Sequence, residues 1–191
     1  MSPRLLLRAG GVPLPWFLGW TTLAGALAPG YSPLAQHASE LTQKPGIPHM
    51  LVNLAALGTG LGFCLFAVGL WRATGRRVSV GALSWFLFGI AMASNGIWPM
   101  GSPLHGLYAL GIINLIAPAL ALIETPTLHD NPRAYALTVF VSLAGILYLW
   151  LNITGNDPDG YRGLTQRVFS SINALWPAVV AYTLVGGKAR A

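Results

Sequence analysis

Long apolar runs separated by short polar stretches dominate the chain. Six runs stand out, near residues 15–29, 51–71, 80–98, 104–123, 134–153 and 168–185. A membrane span needs roughly 20 mostly apolar residues, because a helix rises about 1.5 Å per residue across a hydrocarbon core about 30 Å thick. The runs approach that length. They predict an all-α, polytopic six-transmembrane-helix bundle, forming a single integral membrane domain over residues 1–191. The first run is short and is expected to begin before Pro15, since Pro13 and Pro15 suit a first helical turn. Pro118 and Pro177 fall inside runs and are expected to kink them.

Composition supports the same reading. The chain is 54% hydrophobic and only 8% charged, against about 25% charged in a soluble domain. Too few charges remain to keep a globular surface wet, but there are enough to decorate short loops. The net charge of +6 does not point to nucleic acid, because the basic residues are not gathered on one wet face. They lie between and beyond the apolar runs. Cys64 is the only cysteine, so no disulfide closes within the chain.

The charges choose an orientation. Arg4, Arg8, Arg72, Arg76, Arg77, Arg133, Lys188 and Arg190 fall on one side of six alternating crossings, and Lys44, Arg162 and Arg167 on the other. The positive-inside bias then places both termini in the cytoplasm of a cell-membrane protein. An uncleaved first helix is expected. A signal peptide is the alternative, since Arg4 and Arg8 precede an apolar run ending in Ala26-Leu27-Ala28. Gly58 with Gly62, and Gly89 with Ala93, are four apart and suit close helix packing.

With this topology the polar residues gather on the outer face. His37, Ser39 and Glu40 come from the first loop, Asn95 and His105 from the turn between the third and fourth runs, and Arg162 and Arg167 from the last loop. Polar groups at the edge of hydrocarbon need partners, water or a ligand. These seven residues are the candidate ligand-binding set. Glu40 is expected to be buried and paired with Arg162 or Arg167, and His37, Glu40, Asn95, His105 and Arg167 are expected to border one outward-opening cavity with an apolar floor.

No cofactor is predicted. Zinc is possible, since His37, Glu40, His49 and His105 are suitable ligand types, but no HExxH pair or tight ligand spacing is present. Ser39, Glu40 and the nearby histidines supply hydrolase ingredients without a GxSxG elbow. Gly58-Thr59-Gly60-Leu61-Gly62 sits inside an apolar run and is not a phosphate loop.

The outer-face motifs carry a family resemblance. Gly30-Tyr31-Ser32-Pro33 with Gln36-His37-Ala38-Ser39-Glu40-Leu41, Asn53, Gly96-Ile97-Trp98-Pro99 with His105, and Gly163-Leu164-Thr165-Gln166-Arg167 together resemble an uncharacterised bacterial and archaeal membrane family, domain of unknown function nine-nine-eight. The resemblance runs over residues 19–185, implies a six-helix bundle and assigns no reaction. His37 departs from the family pattern.

The function expected is recognition or movement of a small amphipathic or lipid-like ligand at the outer polar pocket, with membrane lipids as surroundings. A metal-assisted or acid–base membrane hydrolase and a structural, partner-binding subunit are the alternatives. Oligomeric state and catalytic residues stay open, and nucleic acid is not an expected partner.

Overall fold

The computed structural model describes residues 1–187 and is all-α. Its helices are α1 (Pro3–Arg8), α2 (Pro13–Ala26), α3 (Ile47–Thr74), α4 (Val80–Ser94), α5 (Tyr108–Gly111), α6 (Ala117–Glu124), α7 (Pro126–His129), α8 (Pro132–Thr154) and α9 (Arg162–Gly187). Short 3-10 turns occupy Ala9–Gly11, Ala38–Gln43, His105–Leu107 and Ile112–Leu115.

The six-span expectation is corrected. Among the described residues three helices, α3, α8 and α9, are long and apolar enough to cross a membrane. A fourth span results if His105–Leu115 and Ala117–Glu124, bent by 46°, act as one. The chain is thus a multi-pass helical membrane protein with fewer full spans than the apolar runs suggested. The runs near 15–29 and 80–98 fail on length. Helix α2 has 14 residues and α4 has 15, which at about 1.5 Å per residue gives only about 21–23 Å. Apolar residues beyond the helix ends lengthen the runs without lengthening the helices. Leu27 and Ala28 lie past the end of α2, and Ile97 and Trp98 past the end of α4, where Asn95 is the C-cap.

The run near 104–123 breaks for a backbone reason. Gly106 has φ +72 and Leu107 φ +38, both outside helical geometry. A second break, the 46° bend, falls at Ile116, and Pro118 follows it in the first turn of α6. Pro177 lies inside α9.

An aromatic stack fixes the middle of the bundle. Trp85 of α4 stacks on Trp176 of α9, with ring centroids 5.3 Å apart and planes 14° from parallel. Phe63 of α3 stacks on Trp85 at 5.5 Å, and Phe66 meets both tryptophans edge-on. Trp176 also donates from Nε1 to Thr138 of α8 at 2.8 Å, which ties α8 to this core. Helix α8 is otherwise peripheral: Phe140, Leu143, Ile146, Leu147 and Trp150 are exposed, as suits a face turned to lipid.

Small residues set the helix spacing. Gly58 accommodates the Trp16 indole, whose Nε1 donates to the Leu54 carbonyl at 3.0 Å. Gly60 lies against Gly89 and Ala93, so α3 and α4 touch backbone to backbone. A Cβ on Gly60 would come within 2.5 Å of the Gly89 carbonyl oxygen. Gly60→Ala is therefore expected to cost about 1–3 kcal/mol, as overpacking does. Gly19 faces open space, and a Cβ there would meet nothing within 4 Å. Gly19→Ala should accordingly leave stability unchanged or raise it by up to about 1 kcal/mol. Thermal unfolding in detergent checks the pair, and equal midpoints would contradict this packing.

Candidate functional site

One end of the bundle is basic. Arg72 donates to the Met1 carbonyl at 3.4 Å, and Arg76 to the Glu124 carbonyl at 3.3 Å. Glu124, ending α6, caps α4 across the gap: its carboxylate accepts from Ser79 Oγ at 2.6 Å and from the N–H groups of Val80 and Gly81, both at 2.9 Å. A carboxylate at a helix N-terminus satisfies orphan donors and meets the positive end of the helix dipole.

The opposite end is closed by a hydrogen-bonded cap, and the motif residues of the first and last loops build it. Arg167, in the second turn of α9, donates to the carbonyls of Pro33, Gln36 and Gly163 at 2.8, 3.3 and 2.9 Å, and to Tyr31 Oη at 2.6 Å. Tyr31 in turn donates to the carbonyls of Gln36 and His37. Gln166 accepts from the Ala38 N–H at 2.7 Å, and the Leu164 N–H donates to the Leu34 carbonyl at 2.9 Å. Gly163 lies against the carbonyls of Pro33 and Gln36, where a Cβ would collide with backbone. The segment between α4 and α5 joins through Met100, whose N–H donates to Thr42 Oγ1 at 2.9 Å and whose carbonyl accepts from Gln43 Nε2 at 3.3 Å.

The expected Glu40–arginine pair does not form. Half-buried Glu40 folds back on its own turn, accepting from the His37 N–H at 2.8 Å and Gln36 Nε2 at 3.0 Å. Neutral oxygens already surround Arg167, and Arg162 lies exposed at the start of α9. Local capping within four residues wins over a pair that must be assembled across two loops.

Beneath the cap is a cavity of about 590 Å³. Of the seven candidate residues, His37, Ser39, Asn95 and His105 line it, whereas Glu40, Arg162 and Arg167 do not. Arg167 and Glu40 build the roof instead. Helix α9 presents Gln166, Ser170 and Asn173 to the cavity, and α8 presents Tyr148 and Asn152. Residues one helical turn apart share a face, so each set forms a polar stripe. The broken segment contributes Asn114 and the glycines Gly106 and Gly111. Irregular backbone at membrane depth is tolerated where it lines a cavity. Apolar wall comes from Phe17, Val52, Phe88, Leu115, Leu149 and Phe169.

Asn114, Tyr148, Ser170 and Asn173 were missed from sequence because they sit inside apolar runs. The available signal was the helical spacing of Gln166, Ser170 and Asn173 within one span, since polar residues in a membrane helix face its interior.

The histidines do not converge. His105 is buried and donates from Nδ1 to the Trp98 carbonyl at 2.8 Å. His49 donates from Nδ1 to the Thr42 carbonyl at 2.7 Å, and Asn53 lies 3.0 Å from its Nε2. Among the described residues no three His, Cys, Asp or Glu side chains gather to hold a metal ion. The zinc set considered from sequence is therefore not assembled. Ser39 Oγ lies 3.7 Å from Met100 Sδ, a thioether unable to act as a base.

Fold and site define an all-α multi-pass membrane protein with a capped, polar-walled cavity. The chain belongs to the family described as Protein of unknown function (DUF998), which matches residues 12–183. No curated protein and no solved structure matches it.

Removing the Arg167 clasp should loosen the cap. Arg167→Ala is expected to cost about 1.5–3 kcal/mol, the range for hydrogen bonds to a charged group, and to speed proteolysis within residues 31–37. Unchanged protection there would contradict the clasp. Burial first, then the charge of Arg162, holds His37 below the ordinary histidine value of 6.5. The unfolded chain therefore binds the proton more readily, so stability is full above about pH 6.5 and falls as the pH drops through the folded value. Exchange protection of the cap amides, after correction for the intrinsic pH dependence of amide exchange, should fall between about pH 7 and pH 5, and His37→Gln should flatten that dependence.

Proposed function

We propose that this protein recognises or moves a small amphipathic or lipid-like molecule in the cavity beneath its cap. The observation that carries the reading is the make-up of one space: polar side chains from separated segments meet there with aromatic and aliphatic wall. Its volume of about 590 Å³ falls within the roughly 300–1,000 Å³ typical of small-molecule sites. Tyr108, Ile112 and Ile153 border the cavity and are exposed, so a bound tail has an apolar route toward the bilayer. His37, Ser39, Asn95 and His105 supply the polar end, and Arg167 acts by holding the roof.

We also infer that the capped end faces outward and both termini face the cytoplasm. Support comes from charge and packing. Arg8 borders a groove with Val185 and Gly186 of α9, so the start of the chain lies beside the end of α9. Arg4, Arg8, Arg72, Arg76, Arg77 and Arg133 belong to the segments at that end, as the positive-inside bias requires of a cytoplasmic face. Lys188 and Arg190, which entered the same expectation, lie outside the described residues.

Two measurements test these readings. Ser170→Phe should fill the cavity and remove co-purifying amphiphile, seen by native mass spectrometry of protein that still elutes as a single species. Amphiphile retained at the original level would place it elsewhere. In intact cells an impermeant maleimide should label Asp159→Cys but reach Ser2→Cys only after permeabilisation; the reverse pattern would overturn the orientation.

A further inference from the structure

Three of the chain's seven asparagines are followed four residues later by proline: Asn95 by Pro99, Asn114 by Pro118 and Asn173 by Pro177. All three line the cavity, although they lie at the end of α4, in the Ile112–Leu115 turn and within α9. Proline has no N–H, so at this spacing it removes the helical donor for the asparagine's own carbonyl. Asn173 and Pro177 lie in one continuous helix, so there a carboxamide sits beside a backbone carbonyl deprived of its usual partner, whereas Asn95 caps the end of α4 and Asn114 lies in a 3-10 turn. At Asn95 the carboxamide nitrogen donates back to the carbonyls of Ala91 and Met92 at 3.2 and 3.3 Å, which turns Oδ1 into a spare acceptor. Asn114 and Asn173 add groups that both donate and accept.

Among the described residues that line the cavity, none is Asp, Glu, Lys or Arg. A charged head would be stripped of water there without a compensating partner, at high cost. A hydroxyl suits the wall better, because one oxygen donates to a carbonyl and accepts from an amide. His37 adds a buried Nε2 without a protein partner. Its lowered pKa keeps the ring neutral at neutral pH.

We propose that the cavity takes a lipid with an uncharged, hydroxyl-bearing head seated on the three Asn-x-x-x-Pro segments. This inference rests on the amphiphile reading above and adds the class of head group.

The test compares two probes that share one acyl chain carrying a diazirine: 1-oleoylglycerol and its 3-phosphate. The full-length protein is reconstituted in nanodiscs, irradiated, and its labelled peptides are mapped by mass spectrometry. The neutral probe should label the segments lining the cavity at least about fivefold more than the phosphate, as expected for about one hydrogen bond's worth of preference. Asn173→Leu should lower that labelling by a similar factor, whereas Asn156→Leu, an exposed position outside the cavity, should not. Equal or stronger labelling by the phosphate would overturn the neutral-head inference and leave the amphiphile reading standing. Labelling of the outer face of α8 alone, by both probes, would overturn the amphiphile reading itself. Neutral preference that survives Asn173→Leu would remove the asparagine–proline wall as its origin. Should that variant fail to elute as a single species, the two-probe comparison on the unaltered protein decides the question.

Discussion

A peptide group inside hydrocarbon has no water to bond with, and the architecture follows from how this chain meets that constraint. Helices α3, α8 and α9 meet it by staying continuous over 28, 23 and 26 residues. The segment from His105 to Glu124 does not stay continuous, and it breaks beside a cavity. Its glycines and proline leave a backbone that only buried protein or a polar space can satisfy. The polar stripes of α8 and α9 line that same space, so backbone and side chains point to one place.

The two ends of the bundle are held by different chemistry. At the basic end Glu124 supplies the acceptors that the start of α4 lacks. At the capped end Arg167 supplies donors for loop carbonyls that have no helical partner. Each uses a charged group to satisfy backbone, and neither is an ion pair. Charge-assisted bonds of this kind are roughly twice as strong as neutral ones, which suits sites where a loop must be fixed to a helix by few contacts. The middle of the bundle relies instead on the stack of Trp85 and Trp176 and on glycine contacts between α3 and α4.

Much of this was legible in the sequence. Apolar runs located helical segments, although only three, or four with the bent pair, are long enough to cross a membrane, and the three polar segments do lie at one end of the bundle. Four of the seven candidate residues line the cavity. Hydropathy could not see where helices stop, because Ile97 and Trp98 are apolar yet lie beyond the C-cap at Asn95. It could not see the positive φ of Leu107 either. Glu40 and Arg167 look like partners by charge, but the bonds each makes to backbone are closer to hand. The asparagine–proline spacing was visible as letters. It gains meaning only when three distant copies meet at one wall.

On the proposed reading, this cavity holds the polar end of an amphiphile. That reading is tested most directly by crystallising the protein from a lipidic mesophase and inspecting the space beneath the cap. Elongated density is expected, with a polar end within about 2.7–3.2 Å of Asn114 and Asn173 and an apolar tail leaving past Tyr108, Ile112 and Ile153. A space closed by its own side chains, or filled by ordered water with no tail, would contradict it.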